Sequence, residues 1–424
     1  MVNSTTVYPL AAVRALALHA QGLATLPGAE PPPTLDAIYA MIDRLGWVQL
    51  DTLQMVQRSQ YLVLWSRLGR YDPAALDRLL YDPEAITRGQ NNRRLFEYWM
   101  HAACLIPLTE YRYRLGMMRW FAEGKSHWGS AWASKSSNVE LKAAVLERIR
   151  REGPLRAADF EHTGERRGAW WDWKPAKHAL EGLYNAGELM IAGRVKFQRV
   201  YDLRERVLPA WVDVSEPTPA ETDRHRLERA VRALGICQPT QAADYVNMKR
   251  TEAKPLVDEL MAGGDFVPVS ATLSDGQARD LIVHLDALPQ LEAAADGAAP
   301  PRRTTFLSPF DNLFWARGRD VQVWNFRQAL EAYKPPHQRE WGYFCLPILH
   351  HDRLVGRFDP KLERRAKTLR LKALYLEPGV APDEELVGGI AGAMRDFMVF
   401  HGADSLVIER SQPADLGEKL LSAI

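Results

Sequence analysis

The sequence predicts an α+β fold, tandem winged-helix (helix-turn-helix) modules followed by a C-terminal β-barrel-like domain, and three observations carry that prediction. Two stretches, 138–215 and 216–292, share one order of elements with almost no identical residues: a helix, a break, a short helix, a longer helix running into glycine, and a hairpin. The segment Ala293–Arg303 (AAADGAAPPRR) is too rich in Ala, Gly and Pro to pack a core and reads as a linker. Beyond it, Thr304–Ser411 turns into short β-rich runs (TTFLSPF, VQVWNF, GYFCLPIL, RLVGRFD, TLRLKALYL, SLVIER) with one helix at Glu384–His401, so 304–424 is expected to be the barrel.

Taken in order, MVNSTTVYPLAAVRALALHAQGL lacks a basic start, and Arg14 and His19 interrupt its apolar stretch. A first amphipathic helix is expected there rather than a signal peptide or membrane anchor. Thr34–Leu45 has helical period, WVQLDTLQMV alternates as a strand does, and YLVLWSRLG and DPAALDRLLYD supply two more helices, making 1–137 a possible modified third copy. In 138–215 the elements are Val139–Glu152, a short helix at Leu155–Phe160, a longer helix at Trp173–Gly187, and a hairpin at Leu189–Leu203 around Gly193-Arg194. In 216–292 they are a helix from Glu221 through Leu234, GICQPTQAADYV, KRTEAKPLVDELMAGG, and FVPVSA with DLIVH as the wing.

Composition bounds the function only loosely. The chain has 424 residues, 46% hydrophobic and 25% charged, with a net charge of +1, so total charge gives no support to a nucleic-acid partner. Charge is segregated, however: residues 88–206 hold 22 Lys/Arg against 14 Asp/Glu, and the remainder 32 against 39. Three distant cysteines, Cys104, Cys237 and Cys345, make neither a disulfide framework nor a zinc spacing, which fits a reducing, cytoplasmic setting. No Walker loop, dinucleotide-binding glycine turn, HExxH helix or GxSxG elbow is present, and no heptad pattern argues against a monomer.

The chemistry-bearing segment is WVQLDTLQMVQRSQYLVLWSRLG. Gln49 and Asp51 alternate with Val48 and Leu50, which on a strand puts the carboxamide and the carboxylate on one face. Such a pair can hold and polarise one water, with Asp as base or electrostatic stabiliser and Gln orienting by hydrogen bonds, although polar residues two apart more commonly line a solvated strand. His101, in RRLFEYWMHAACLIP, sits on a strand-like run that could border the same pocket or be a buried structural histidine.

The stretch QLDTLQMVQRSQYLVLWSRLG resembles the Gln-apolar-Asp signature and following helix of the AlkZ/YcaQ-type winged-helix DNA glycosylases, which unhook interstrand crosslinks. WWDWKPAKHALEGLYNAGELMIAGRVKFQRVYDL resembles that family's central winged helix, and FLSPFDNLFWARGRDV and WGYFCLPILHHDRLVGRFDPKLERR its C-terminal barrel. The resemblance implies tandem winged helices and a barrel around duplex DNA. It also implies the Gln-apolar-Asp subgroup, of broader substrate range than the Gln-apolar-Gln form tied to self-resistance against a DNA-alkylating natural product. Carried over, Asp51 would position the hydrolytic water and stabilise positive charge on the deoxyribose, with Gln49 helping to hold water and sugar. No metal or cofactor is expected, and without a lysine in the motif, base excision should proceed without strand cleavage.

The remaining candidates concern the DNA. Arg58 and Arg67 in the signature stretch, and Arg166, Arg167, Trp170 and Lys174 with Lys177, combine basic and aromatic groups as a DNA-facing surface would; core tryptophans beside a solvated loop are the alternative. Lys334–Gly342 looks like a hairpin tip, with Arg339 and Trp341 as possible groove probes. Asp311 either borders the site or caps a turn, and the basic run 361–367 either meets phosphates or is simply solvated. The competing reading of the whole chain is a non-catalytic winged-helix regulator, which would need neither Gln49 nor Asp51.

Overall fold

The computed structural model describes residues 6–25, 32–82, 91–125, 136–160, 175–298 and 300–424. It is a mixed α+β protein whose chain divides into two compact units, one of 1–73, 100–103 and 223–424, the other of 74–99 and 104–222. The division does not fall at the expected linker: 223–424 stays in one unit, and Arg303, buried, donates through Nη1 to the Arg67 carbonyl at 2.7 Å.

In the larger unit, the helix Leu10–Ala20 is not amphipathic as expected. Ala12, Val13 and Leu16–Leu18 are buried in one apolar cluster with Ile236, Val283, Leu349 and others, so apolar burial extends over most of the helix and only Arg14 and His19 interrupt it. The helix Leu35–Leu45 starts where Thr34 Oγ1 accepts from the Ala37 N–H at 3.2 Å and stops at Gly46, whose φ of 83° suits glycine. A four-stranded sheet runs Val7–Tyr8, Phe266–Thr272, Ala278–His284, Ile236–Cys237, with only the first pair parallel. Around its strands lie the helices Pro219–Leu234, whose residues from Asp223 on belong to this unit, Pro239–Tyr245 and Arg250–Ala262.

The C-terminal part of the same unit is a six-stranded sheet in the order Thr304–Phe306, Leu346–His350, Arg353–Glu363, Thr368–Leu376, Ser405–Ile408, with Ser411–Gln412 also on Thr368–Leu376. Among the described residues its hydrogen-bonded path is open. The helix Glu384–His401 falls where the sequence predicts it: Asp383 caps it, accepting from Leu386 N–H at 2.9 Å, and Gly402 in a left-handed conformation ends it. Its Phe397 meets Phe306 and Phe358 edge-on and Trp65 of the helix Ser59–Leu68 at 4.9 Å.

Two expectations for this part fail. VQVWNF is no strand but the helix Arg319–Trp324, bracketed by left-handed Gly318 and Asn325, because Arg319, Val323 and Trp324 bury one helical face. The Arg319 guanidinium bonds the Leu234 and Ile236 carbonyls, a tertiary partner that the local alternation does not reveal. A further helix, Leu416–Ala423, joins the one expected.

In the smaller unit the helices Ser136–Glu152 and Pro175–Asn185 precede the hairpin Leu189–Val195 and Gln198–Leu203. Leu155–Arg156 is a strand paired to Gln198–Leu203 and followed by a single turn, Ala157–Asp159, where a short helix was expected. The hairpin turns at Lys196-Phe197, both with positive φ, and not at Gly193-Arg194; Gly193 sits instead where the register shifts. Buried Glu97 accepts from Nε and Nη2 of Arg194, at 2.7 and 2.6 Å, and from the Tyr81 hydroxyl at 2.7 Å.

Candidate active site

Gln49, Asp51 and His101 and the side chains around them lie in the larger unit. Gln49 ends the two-residue strand Val48–Gln49, which is fastened from two sides: Leu50 N–H donates to the Ala103 carbonyl at 2.8 Å, and Asn312 Nδ2 donates to the Trp47 carbonyl at 2.9 Å. The strand is shorter than the alternation suggests, so Asp51 lies in the loop beyond it. There Asp51 folds into an Asx turn, its Oδ1 accepting the Leu53 N–H at 2.8 Å. The loop is pinned downstream, where Leu362 N–H and Arg364 Nη2 donate to the Met55 and Val56 carbonyls at 3.0 and 2.6 Å.

Asp51 is half-buried, and burial raises its pKa, opposed by the Leu53 and Thr52 N–H groups that favour the ionised form. The carboxylate is therefore held in place by backbone dipoles, with no basic side chain among the causes of its shift.

His101 is in a turn, not on a strand: Met100 N–H donates to the Ala102 carbonyl at 2.8 Å, and this places His101 Nε2 3.0 Å from Gln49 Oε1. An amide oxygen only accepts, so His101 donates through Nε2–H and Nδ1 carries the lone pair of the neutral ring. Part of the ring faces solvent, yet the protein around it pushes its pKa down to about 4, so at neutral pH it is uncharged. Trp315 packs against the ring edge-to-face at 4.3 Å and leans on Tyr245 at 5.1 Å. Tyr245 is held by its hydroxyl donating to the Leu45 carbonyl at 2.8 Å, and Trp315 by Nε1 donating to the Phe310 carbonyl at 3.0 Å.

Asp311 and Arg67 have structural roles. The Arg67 guanidinium, fully buried, makes a two-toothed ion pair with Asp311 at 2.6 and 2.8 Å, and Asp311 also accepts the Leu313 N–H, capping the turn that carries Asn312 and Trp315. A side chain so enclosed offers DNA nothing, so the expectation of Arg67 on a DNA-facing surface is corrected. The capping alternative for Asp311 holds.

Lys334–Gly342 is not a hairpin tip. It is a loop drawn around the buried Glu331 carboxylate, which accepts the N–H groups of Glu340, Trp341 and Gly342 at 3.1, 2.8 and 3.3 Å and pairs with Lys334. Arg339 donates to the Glu331 and Lys334 carbonyls, and the Trp341 ring lies between Arg357 and Tyr375. What the loop exposes is Tyr333, 76% accessible, whose phenol pKa is raised by desolvation and by the charge of Asp51. Sequence reasoning missed both Tyr333 and Trp315; Trp315 lies inside the stretch FLSPFDNLFWARGRDV between Phe314 and Ala316, where no local signal sets it apart from a core aromatic.

Arg166, Arg167, Trp170 and Lys174 lie outside the described residues, as do Trp171 and Trp173. Lys177, in the smaller unit, stands 4.0 Å from Glu181 on its helix. Arg58 occupies the N-cap position of Ser59–Leu68. Within the basic run 361–367, Arg364 is spent on the Val56 carbonyl and Lys367 pairs with Asp404. Among the described residues, no helix is long and apolar enough to cross a membrane.

A half-buried carboxylate held by backbone N–H groups thus lies two residues from a carboxamide whose oxygen is fixed by a neutral imidazole, with Trp315 against that ring. A family profile described as "DNA glycosylase AlkZ-like" matches residues 42–397, and the chain belongs to that family. Among solved structures it is similar to the Streptomyces sahachiroi DNA glycosylase AlkZ, with a TM-score of 0.63 and 15% identity over 96% of this chain and 100% of that one. At that identity the likeness is one of fold.

Proposed function

We propose that the protein is a monofunctional DNA glycosylase that hydrolyses the N-glycosidic bond of alkylated purines in duplex DNA, N7-alkylguanines and their interstrand crosslinks among them, and so initiates base excision repair. The observation that carries this reading is the arrangement of Asp51, held among the described residues by backbone N–H groups, next to Gln49, whose carboxamide oxygen is fixed by His101. An N7-alkylguanine is cationic and leaves readily, so the work left to the protein is electrostatic. Asp51 stabilises the oxocarbenium-like sugar and accepts the proton of the attacking water, while Gln49 orients that water or the sugar by hydrogen bonds. Neither a covalent nucleophile nor a metal is called for by a leaving group so activated.

On this reading the helix, strand, single turn, helix and two-stranded wing of 138–215 and the helix, strand, two helices and two-stranded wing of 216–292 make two winged helices, the N-terminal part a modified third, and 304–424 the barrel-like module. Arg58, Arg166, Arg167, Trp170, Lys174 and Lys177 are assigned to DNA contacts, and Tyr333 joins them as an aromatic presented beside Asp51. The enzyme acts as a monomer on chromosomal DNA in the cytoplasm, with the buried Cys104, Cys237 and Cys345 outside any disulfide. A crosslinked base stays attached to the opposite strand and resists full extrusion, so the site is proposed to be shallow and open.

The test is release of 7-methylguanine, and unhooking of a nitrogen-mustard crosslink, from duplex DNA by wild type and Asp51→Asn, with chelator present and abasic sites cleaved afterwards. Release by wild type alone is expected. No release by either protein, with tight duplex binding by both, would overturn the reading in favour of a non-catalytic DNA-binding role.

A further inference from the structure

The connection between the strands Leu346–His350 and Arg353–Glu363 brings two consecutive histidines to the first turn of the helix Glu384–His401. His350, His351 and Glu385 each offer a ligand-type atom, all within 4.8 Å of one another. The two imidazole rings stack at 4.0 Å with planes 22° apart, and His351 Nε2 lies 3.7 Å from Glu385 Oε1.

Three features mark this as more than a chance meeting of surface residues. His351 adopts φ 55°, a left-handed conformation that glycine enters without strain, yet the position carries an imidazole. His350 Nδ1 is 2.8 Å from Thr304 Oγ1, the kind of second hydrogen bond that sets the tautomer and orientation of a metal-binding histidine and leaves Nε2 to ligate. Gly389, one helical turn after Glu385, leaves room for that bond: a Cβ there would come within 2.6 Å of Thr304 Oγ1 and 3.2 Å of His350 Nδ1.

Beside the cluster opens a cleft of about 740 Å³, lined by His351, Asp352 and Glu385 together with Ala11, Ala15 and Arg302. It gives a coordinated ion room for water at its remaining position.

We propose that His350, His351 and Glu385 form a binding site for a first-row divalent cation of the zinc class. Two imidazoles and one carboxylate are a borderline donor set, suited to Zn²⁺ and its neighbours and poorly suited to Mg²⁺ or Ca²⁺, which take oxygen ligands. With metal–ligand bonds of about 2.0–2.1 Å, tetrahedral donors stand roughly 3.4 Å apart, so the donors close by up to about 1.4 Å, and because imidazole lone pairs lie in the ring plane the His351 ring must also turn out of its stack on His350. His351, on the turn between the two strands, and Glu385, its side chain 75% exposed, supply these movements by changing rotamer. The bound ion would clip the strand connection to the start of the helix, and because a preformed site is absent from the unfolded chain, it would stabilise the folded state. The site has no role in the base-release reading, and that reading does not depend on it.

The experiment uses the full, tag-free chain, stripped of metal by chelator, then titrated with Zn²⁺ by calorimetry and followed in parallel by thermal unfolding. His351→Gly removes a ligand while relaxing the backbone, so its fold is not at risk, and Glu385→Gln removes another from an exposed position. Wild type is expected to take up one Zn²⁺ per chain at micromolar concentration and to melt higher for it. Both variants should bind at least tenfold more weakly, with the metal-free melting point of His351→Gly no lower than wild type. No uptake by wild type, or equal uptake by wild type and both variants, overturns the proposal. Neither readout involves base release, so failure here and failure of the glycosylase reading are told apart.

Discussion

Asp51 is held where its charge is costly. Burial lifts its pKa while the Leu53 and Thr52 N–H groups pull it back, and the net direction is upward. If the ionised carboxylate is the working form, the acid limb of the kcat/KM profile for 7-methylguanine release falls at a pH above the ordinary carboxylate value of about 3.9. A limb at or below that value would show that Asp51 does not govern the rate. The same shift has a sign in stability: a carboxyl whose folded pKa is raised favours folding below its unfolded pKa and loses that contribution as pH rises through the folded one. Asp51→Asn is therefore expected to melt at or slightly above wild type at pH 7, which thermal unfolding checks, so its loss of activity is not a loss of fold. His101, pushed down to about 4, contributes no inflection between pH 5 and 8. Its hydrogen bond to Gln49 is worth about 0.5–1.5 kcal/mol. His101→Ala should lower kcat by about two- to tenfold and leave duplex affinity nearly unchanged.

At the scale of elements, the loop 331–342 is organised by one carboxylate. Lys334 and three backbone N–H groups outweigh the cost of burying Glu331 and draw its pKa down to about 2. The order imposed on the loop is what keeps Tyr333 projecting. Glu331→Ala removes the acceptor for all three N–H groups and is expected to cost about 2–3 kcal/mol and open 333–340 to limited proteolysis. An uncut, unshifted variant would show that the loop holds itself by other means. The hairpin Leu189–Leu203 teaches a related lesson about legibility. Both strands were visible as β-rich runs, but the turn was read at Gly193-Arg194 because glycine usually marks it, whereas Lys196-Phe197 takes the positive φ values. Arg194, lying over the Phe197 ring at 4.1 Å and donating to its carbonyl, supports a turn that its residue types alone would not suggest.

For the whole molecule, each unit contains a buried ion pair of its own, Arg67 with Asp311 in the larger and Arg194 with Glu97 in the smaller. Burial alone would raise Glu97, but the Arg194 hydrogen bonds and charge outweigh it and hold the carboxyl below its usual range. Its contribution is then fully present above the unfolded value of about 4.3 and is lost as pH falls through the depressed folded value. Breaking such a pair from one side leaves a buried charge and costs about 3–5 kcal/mol. Glu97→Gln should thus strip hydrogen-exchange protection from Leu189–Leu203 while the amides of Thr368–Leu376, in the other unit, keep theirs. Loss of protection in both at once would mean that the chain unfolds as one body.

Periodicity and capping are local, and what they govern was readable from the chain alone. Thr34 and Gly46 bound one helix, Asp383 and Gly402 another, and the helices and hairpins that make up the α+β class, like the Gln-apolar-Asp motif, each rest on residues close together in the chain. What only the tertiary structure decided depends on partners far away in sequence. Arg67 and Asp311, 244 positions apart, are a buried pair and not two surface groups. Arg319 turns an alternating run into a helix by reaching Leu234 and Ile236. His101 meets Gln49 across 52 residues, with Trp315 brought to the same ring from the far end of the chain. Hydrophobic period records only which face of a segment is buried; what that face is buried against is set when the whole chain packs.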